Sequence, residues 1–291
     1  MSNAIKICQG RFGRVALLDM DAPLVAHAHH HCHVLMKAGG PDTFFSVHDA
    51  IHPLTADTAV LVNSWEPHAY CHHDVPGVRT VILALYIEPG WLAEIHHPLA
   101  LARQAHVFPQ SCVCVKAPTR KIADELVMEL WWSDAIAAQR LEILLFDLMV
   151  SVIGPIPDWR ELASLMRSAN RRAPDPRVRR AIAYLREHIG ADIDMDSVAA
   201  HCGLSRAHFF VLFRESTNVT PQVYANVLRM EAAIDALSHG GKAMTDISYD
   251  IGFSAPGHFT RFFRQHLGIT PSEYRRVVNL YDGEAGKPVE I

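Results

Sequence analysis

HFFVLFRESTNVTPQVY (His208–Tyr224) and HFTRFFRQHLGITPSEY (His258–Tyr274) share the letters H-F-x3-F-R-x5-T-P-x2-Y at a constant offset of fifty residues. Self-similarity at a fixed offset means one supersecondary unit used twice. Two equivalent short helices at a set separation suit a periodic ligand, and duplex DNA is the obvious one.

The residues before each copy give the unit its form. Met195 to Cys202 predicts a short helix, with Val198 and Ala199 inward and Asp194 or Asp196 near its start. Gly203 allows a tight turn, and Ser205 suits the cap of the next helix. Phe209, Leu212 and Phe213 follow at i, i+3, i+4 and define its buried face. In the second copy Asp246 to Ile251 is the first helix, Gly252 the turn and Ser254 the expected cap, with Phe259, Phe262 and Phe263 buried. Pro256 fits the first helical turn, where N–H groups are spare. Helix, glycine turn and helix together make a helix-turn-helix.

The segment after each copy is as regular. Thr220-Pro221 and Thr270-Pro271 place a capping hydroxyl before a proline at the first helical position, and Glu273 completes a capping box in the second. Asn218 and Gly268 suit left-handed helix ends. The helix from Pro221 runs to about His239, before Gly240-Gly241. At ~1.5 Å per residue it spans roughly 28 Å, against ~34 Å for one turn of DNA. A stiff connector of that length sets two recognition helices toward successive major grooves.

Residues 175–280 resemble the DNA-binding domain of the AraC/XylS family of bacterial transcription regulators, and IGFSAPGHFTRFFRQHLGITPSEYRR is close to that family's signature. A helical repeat that merely packs is the alternative, but it would not need turn, cap and core spacing to recur together. The candidate DNA-contacting residues are Arg206, His208, Phe210, Val211, His258, Thr260, Arg261 and Arg264. Arg261 is the best base reader, because a guanidinium bonds guanine O6 and N7 bidentately. The resemblance implies contacts at positions 207, 210 and 211. These are Ala, Phe and Val here. Either they meet thymine methyls, or Phe210 and Val211 pack inward and Arg206 reads. His208 and His258 suit phosphate contact and a structural role equally.

Upstream the pattern changes. Short apolar runs at Val15–Leu18, Phe44–Val47, Ala59–Val62 and Thr80–Ile87 are separated by turn formers such as Gly39-Gly40-Pro41-Asp42 and Pro76-Gly77. They predict a β sandwich or barrel over residues 1–115. A helical hairpin occupies 116–170. One stripe is Ile122, Leu126, Val127, Leu130 and Trp131; the other is Leu141, Leu144, Leu145, Leu148, Met149 and Val152. Gly154-Pro155-Ile156-Pro157 stops the second helix, and a third is expected from Asp158 to about Ser168. These stripes suit packing on their own barrel and a dimer seam equally. Asn170 to Pro176 reads as a linker into the domain 171–282, all of it helical to about 280.

Ten of the nineteen histidines fall between 27 and 73. In HAHHHCH, His27, His29, His31 and His33 share one face of a strand, by its period of two. His27-x-His29-x3-His33, with Gly40 beyond, resembles the first cupin motif, with His33 where glutamate usually stands. His68, in NSWEPHAY, resembles the histidine of the second. The expected fold is therefore α+β multidomain: a cupin-like β-barrel with following helices, then an all-α domain with two helix-turn-helix units. His27, His29, His33 and His68 are the candidate effector pocket. They are also candidate ligands for a divalent metal, since imidazole suits Zn, Fe, Ni or Cu. A metal-free pocket is the other reading.

Net charge is −4. Residues 1–170 carry 12 Lys+Arg against 17 Asp+Glu, and 171–282 carry 14 against 12. This split disfavours a non-specific architectural DNA binder. Six cysteines without disulfide or zinc-finger spacing, and no leader or membrane span, read as a cytoplasmic protein with reduced thiols. The expectation is a sequence-specific DNA-binding regulator responding to a small molecule, with no enzymatic activity. The resemblance implies an activator, a homodimer and an RNA polymerase partner. The alternative is a metal-dependent cupin enzyme, a dioxygenase or isomerase, fused to a DNA-binding domain.

Overall fold

The computed structural model describes residues 2–72, 77–95, 107–153, 175–191 and 193–281. The expected helix at Asp158–Ser168, the helix stop at 154–157, linker residues 170–174 and Pro76 lie outside them.

The first part is sheet-rich: β1 (Asn3–Gly10), β2 (Gly13–Met20), β3 (Cys32–Gly39), β4 (Thr43–Val47), β5 (Ala50–Leu54), β6 (Thr58–Val62), β7 (His68–Cys71), β8 (Thr80–Ile87), α1 (Pro89–Ile95) and β9 (Cys112–Cys114). Two helices come next, α2 (Ala117–Trp132) and α3 (Ala138–Ile153). The remainder is helical: α4 (Pro176–Glu187), α5 (Met195–His201), α6 (Arg206–Thr217), α7 (Pro221–Ser238), α8 (Met244–Asp250), α9 (Pro256–Leu267) and α10 (Pro271–Val277). It ends in β10 (Val278–Tyr281), where helix was expected to 280.

The strands form a seven-stranded sheet, β10-β1-β2-β8-β3-β6-β9, and a three-stranded sheet, β5-β4-β7. Among the described residues the two are not hydrogen-bonded into a closed barrel. β10 pairs parallel with β1 and takes the edge that a closing strand would need.

The large sheet is buried on both faces, which explains why Val81–Ile87 is an almost unbroken apolar run. Val15, Leu17, Val34, Met36, Leu83 and Leu85 point to one side and pack with Leu126, Leu130, Leu141, Leu145 and Leu148 of the helical hairpin. Ala16, Leu18, Leu35, Ile82, Ala84 and Tyr86 point to the other. There they meet the small sheet, through Phe45 and Tyr70, the connecting helix α7, through Ala233 and Leu237, and the second helix-turn-helix, through Phe263. The hairpin's main apolar stripes thus cover their own sheet. Trp131, expected on that face, is 43% exposed, beside Trp132 at 73% and Met128 at 57%.

The duplicated unit folds as its caps dictate. Asp194 caps α5, Ser205 Oγ accepts from the His208 N–H, and Thr220 Oγ1 from the Val223 N–H. Thr270 and Glu273 form the full capping box of α10. Gly252 turns at φ +83°, and a Cβ there would meet the Ile189 and Ala191 carbonyls at 2.9 and 3.0 Å. One cap differs. Ala255, not Ser254, precedes α9, without a side-chain cap bond. With Pro256 at the helix start one N–H is already gone, and the Ser254 hydroxyl instead meets His258 Nδ1 at 3.5 Å. Phe209, Phe213, Phe259 and Phe263 are buried; Leu212 and Phe262 are half-buried.

The helical domain is docked along its length. Gln9 Oε1 accepts from both the Ser238 hydroxyl (3.0 Å) and the Tyr274 hydroxyl (2.9 Å). Trp65 stacks on Tyr224 with centroids 4.7 Å apart and 7° between planes.

Candidate DNA interface and interdomain histidine site

The first recognition helix, α6, presents Arg206, Ala207, His208, Val211 and Arg214 to solvent. Val211 is 56% exposed. Phe210 is half-buried, with the Arg206 guanidinium 5.2 Å from its ring centroid. Arg206 Nη1 also donates to Asp196 Oδ2 at 3.0 Å. The two open readings therefore divide: Val211 faces outward, while Phe210 serves as a platform beneath Arg206.

The second helix, α9, exposes Gly257, His258, Thr260, Arg261 and Arg264. Thr260 donates its hydroxyl to the Pro256 carbonyl at 3.0 Å. Thr260, Arg261 and Arg264 border a groove whose far side is Ala22 and Pro23, and the Val25 N–H donates to the Gln265 carbonyl at 3.2 Å. The sheet-rich domain thus stands directly beside the second reader.

The histidines do not share a strand. β3 begins at Cys32, so of the five histidines in HAHHHCH only His33 lies on it. His27 forms an isolated bridge with His68, its N–H and carbonyl paired at 2.9 and 2.8 Å. The chain nevertheless brings His27, His29, His33 and His68 together. His31, expected on the same face, turns to Glu88 at 3.1 Å.

Backbone carbonyls fix the tautomers. His27 Nδ1 meets the Val25 carbonyl at 2.9 Å, His29 Nδ1 the His31 carbonyl at 3.1 Å, and His68 Nδ1 the Glu66 carbonyl at 2.9 Å. Carbonyls only accept, so each Nδ1 carries the proton. Burial lowers the pKa values of His29 and His33 well below the usual range and pushes His68 to about 4. The rings are therefore neutral, and each of the three Nε2 atoms offers a lone pair. Ligand atoms of His27, His29 and His68 lie within 4.8 Å of one another.

His33 Nδ1 sits 3.2 Å from His29 Nε2 and 3.3 Å from His68 Nε2 and can donate to only one at a time; its Nε2 is buried without a partner. Donor type, and the tautomers that outer carbonyls hold on His27, His29 and His68, fit a divalent transition metal.

Sequence reasoning missed the second half of this region. His30 bridges the domains: Nε2 lies 2.8 Å from Glu88 Oε1 and Nδ1 lies 2.7 Å from Glu231 Oε1 on α7. Arg14, 6% exposed, lies with its guanidinium 4.0 Å from the Tyr86 ring centroid. Both border cavities between sheet and α7. A buried arginine within the apolar strand GRVALLDM was the available signal.

Comparison with known proteins addresses the C-terminal part most directly. Residues 198–277 match the family described as "Helix-turn-helix domain". The chain is similar to the HTH-type transcriptional activator RhaS of Escherichia coli O139:H28, 35% identical over 33% of this chain and 34% of RhaS. It is also similar to the regulatory protein PocR of Salmonella typhimurium, 30% identical over 36% of this chain and 35% of PocR. RhaS of Citrobacter koseri aligns over 49% of this chain and 48% of its own length, at 30% identity. The chain thus spans half or less of the length of these relatives. Among solved structures, an apo form of ToxT from Vibrio cholerae covers 95% of this chain and 97% of ToxT, with a TM-score of 0.52 at 13% identity. That likeness concerns the fold, a sheet-rich domain followed by a helical one. Residues 198–277 are thus similar to a helix-turn-helix domain, and they follow a sheet-rich N-terminal part.

Proposed function

We propose that the protein is a sequence-specific DNA-binding transcription regulator, an activator working as a homodimer with RNA polymerase, whose N-terminal domain responds to a small molecule. The observation that carries the reading is the doubled helix-turn-helix, with His208 and Arg214 exposed on α6 at the places that His258 and Arg264 hold on α9. RhaS, named as an activator, supports the direction of regulation. No described helix is long and apolar enough to cross a membrane; a DNA partner supports a cytoplasmic location.

His27, His29 and His31 border the cavity that α7 and α9 also line, and His33 and His68 pack against His29. A ligand there acts only if it binds one arrangement of the domains better than another. A bound divalent metal would supply a fixed positive charge at the boundary. This chain's contribution is to hold the imidazoles neutral and aimed.

The test is selection of bound duplexes from a random library by the full chain, followed by fluorescence anisotropy on the enriched sequence. A defined site preferred at least a hundredfold over random DNA is expected. Equal affinity for all sequences rejects the reading. The three convergent Nε2 atoms favour a second reading, a metal-dependent enzyme fused to a DNA-binding domain. Substrate turnover that requires added metal would establish it.

A further inference from the structure

We propose that His30 and His31 of the sheet-rich part and Glu231 of α7 bind a divalent first-row transition metal, with Glu88 as the outer carboxylate that orients both imidazoles. The site shares no residue with the His27, His29 and His68 group, and it stands independently of the DNA-binding reading.

One ligand atom from each of His30, His31 and Glu231 lies within 4.8 Å of the other two. His30 Nδ1 and Glu231 Oε1 are 2.7 Å apart. The other nitrogen of each imidazole is already committed. Glu88 Oε1 lies 2.8 Å from His30 Nε2 and 3.1 Å from His31 Nε2. A carboxylate only accepts, so both Nε2 atoms carry protons. A carboxylate behind a ligating imidazole fixes its tautomer and its orientation. The two rings lie over one another, with centroids 3.9 Å apart. His31 Nδ1 is left with a lone pair, and among the described residues it is buried without a hydrogen-bond partner. Such a nitrogen costs free energy until something binds it. A proton now joins His30 Nδ1 to Glu231; a metal would take its place, so binding releases one proton.

The charge of the surroundings has the matching sign. The same residues border a cavity of about 230 Å³ whose other charged walls are Arg14 and Asp235. With neutral imidazoles, three carboxylates against one guanidinium leave −2, which a dication cancels. Asp235 follows Glu231 by one turn of α7 and shares its face. Two imidazoles with a carboxylate favour zinc, nickel or iron over magnesium or calcium, which prefer oxygen. His30 and Glu231 are each about a third exposed, so the ion exchanges with solvent and the site fills from added metal. His30 and His31 precede β3 and Glu231 lies on the helix joining the two DNA-reading units. A bound ion therefore holds the sheet-rich part to that helix.

The experiment is a titration of the full chain with zinc chloride in competition with a chromophoric chelator. It is run on His68→Gln, so that the other histidine group does not contribute. One equivalent is expected. Adding Glu231→Gln or His31→Asn to that background should each weaken binding at least tenfold. Zinc should also raise the urea midpoint of His68→Gln and leave that of the Glu231→Gln double variant unmoved. Circular dichroism checks that each variant is folded. No zinc bound by folded His68→Gln overturns the proposal, as does undiminished affinity in either double variant or an equal rise in midpoint without Glu231. Should His68→Gln fail to fold, zinc is counted on the parent chain and on Glu231→Gln. One equivalent fewer in the variant supports the site, and equal stoichiometry overturns it.

Discussion

His30 Nδ1 lies 2.7 Å from Glu231 Oε1, and this contact ties the loop before β3 to the helix joining the two DNA-reading units. The imidazole is held between two acids, with Glu88 2.8 Å from its other nitrogen. The two carboxylates outweigh desolvation and raise the pKa of His30 to about 9. The ring is therefore a cation linking both domains. Each partner is about a third exposed, so solvent screens part of the attraction.

Glu231→Gln should lower the stability of the full chain by about 1 kcal/mol, as expected for a partly exposed pair. A double-mutant cycle with His30→Gln, followed by urea denaturation, isolates the coupling. Additive effects of the two changes would mean that the contact carries no energy between the domains.

Arg261→Ala should weaken specific DNA binding by about 1–3 kcal/mol and relax the preference at one base pair. Anisotropy against a panel of single-base variants reads both effects. A uniform loss on specific and random duplexes, with a shallower salt slope, would make Arg261 a phosphate contact.

Val211→Ser should leave stability within about 0.5 kcal/mol, since the side chain is exposed. Its effect should fall on DNA affinity at A·T-containing positions of the half-site read by α6. Phe213→Ala, by contrast, should cost about 3–5 kcal/mol, because that ring is fully buried. Thermal melts separate the two variants.

Protein purified without a histidine tag should carry close to one equivalent of a divalent transition metal by elemental analysis. His68→Gln should reduce it at least tenfold, since the remaining Nε2 donors no longer close a three-sided site. Less than a tenth of an equivalent in the parent protein rejects the metal and leaves a hydrogen-bonded histidine pocket.

The helical domain was legible because its signals are local. A cap hydroxyl, a glycine turn and aromatic residues at i, i+3, i+4 act within one or two turns of chain. The cap at Ser254 failed for an equally local reason, the proline two residues on. The strands were legible where apolar runs were long, as at Thr80–Ile87. β1 and β10 were not, because their pairing joins residues 7–10 with 278–281, and no local pattern announces a partner so far away.

The sequence by itself determined the doubled reader, most of its caps and its core, and it singled out His27, His29, His33 and His68, which the fold brings together. Only the tertiary structure decided that His31 leaves that group and His30 links to Glu231. It also decided that Arg14 is buried against a cavity shared by both domains, and that the hairpin's stripes cover their own sheet. The physical reason is range. Caps and periodic faces are settled by neighbours along the chain. The partner of a buried charge is settled by whichever distant segment packing brings within about 3 Å.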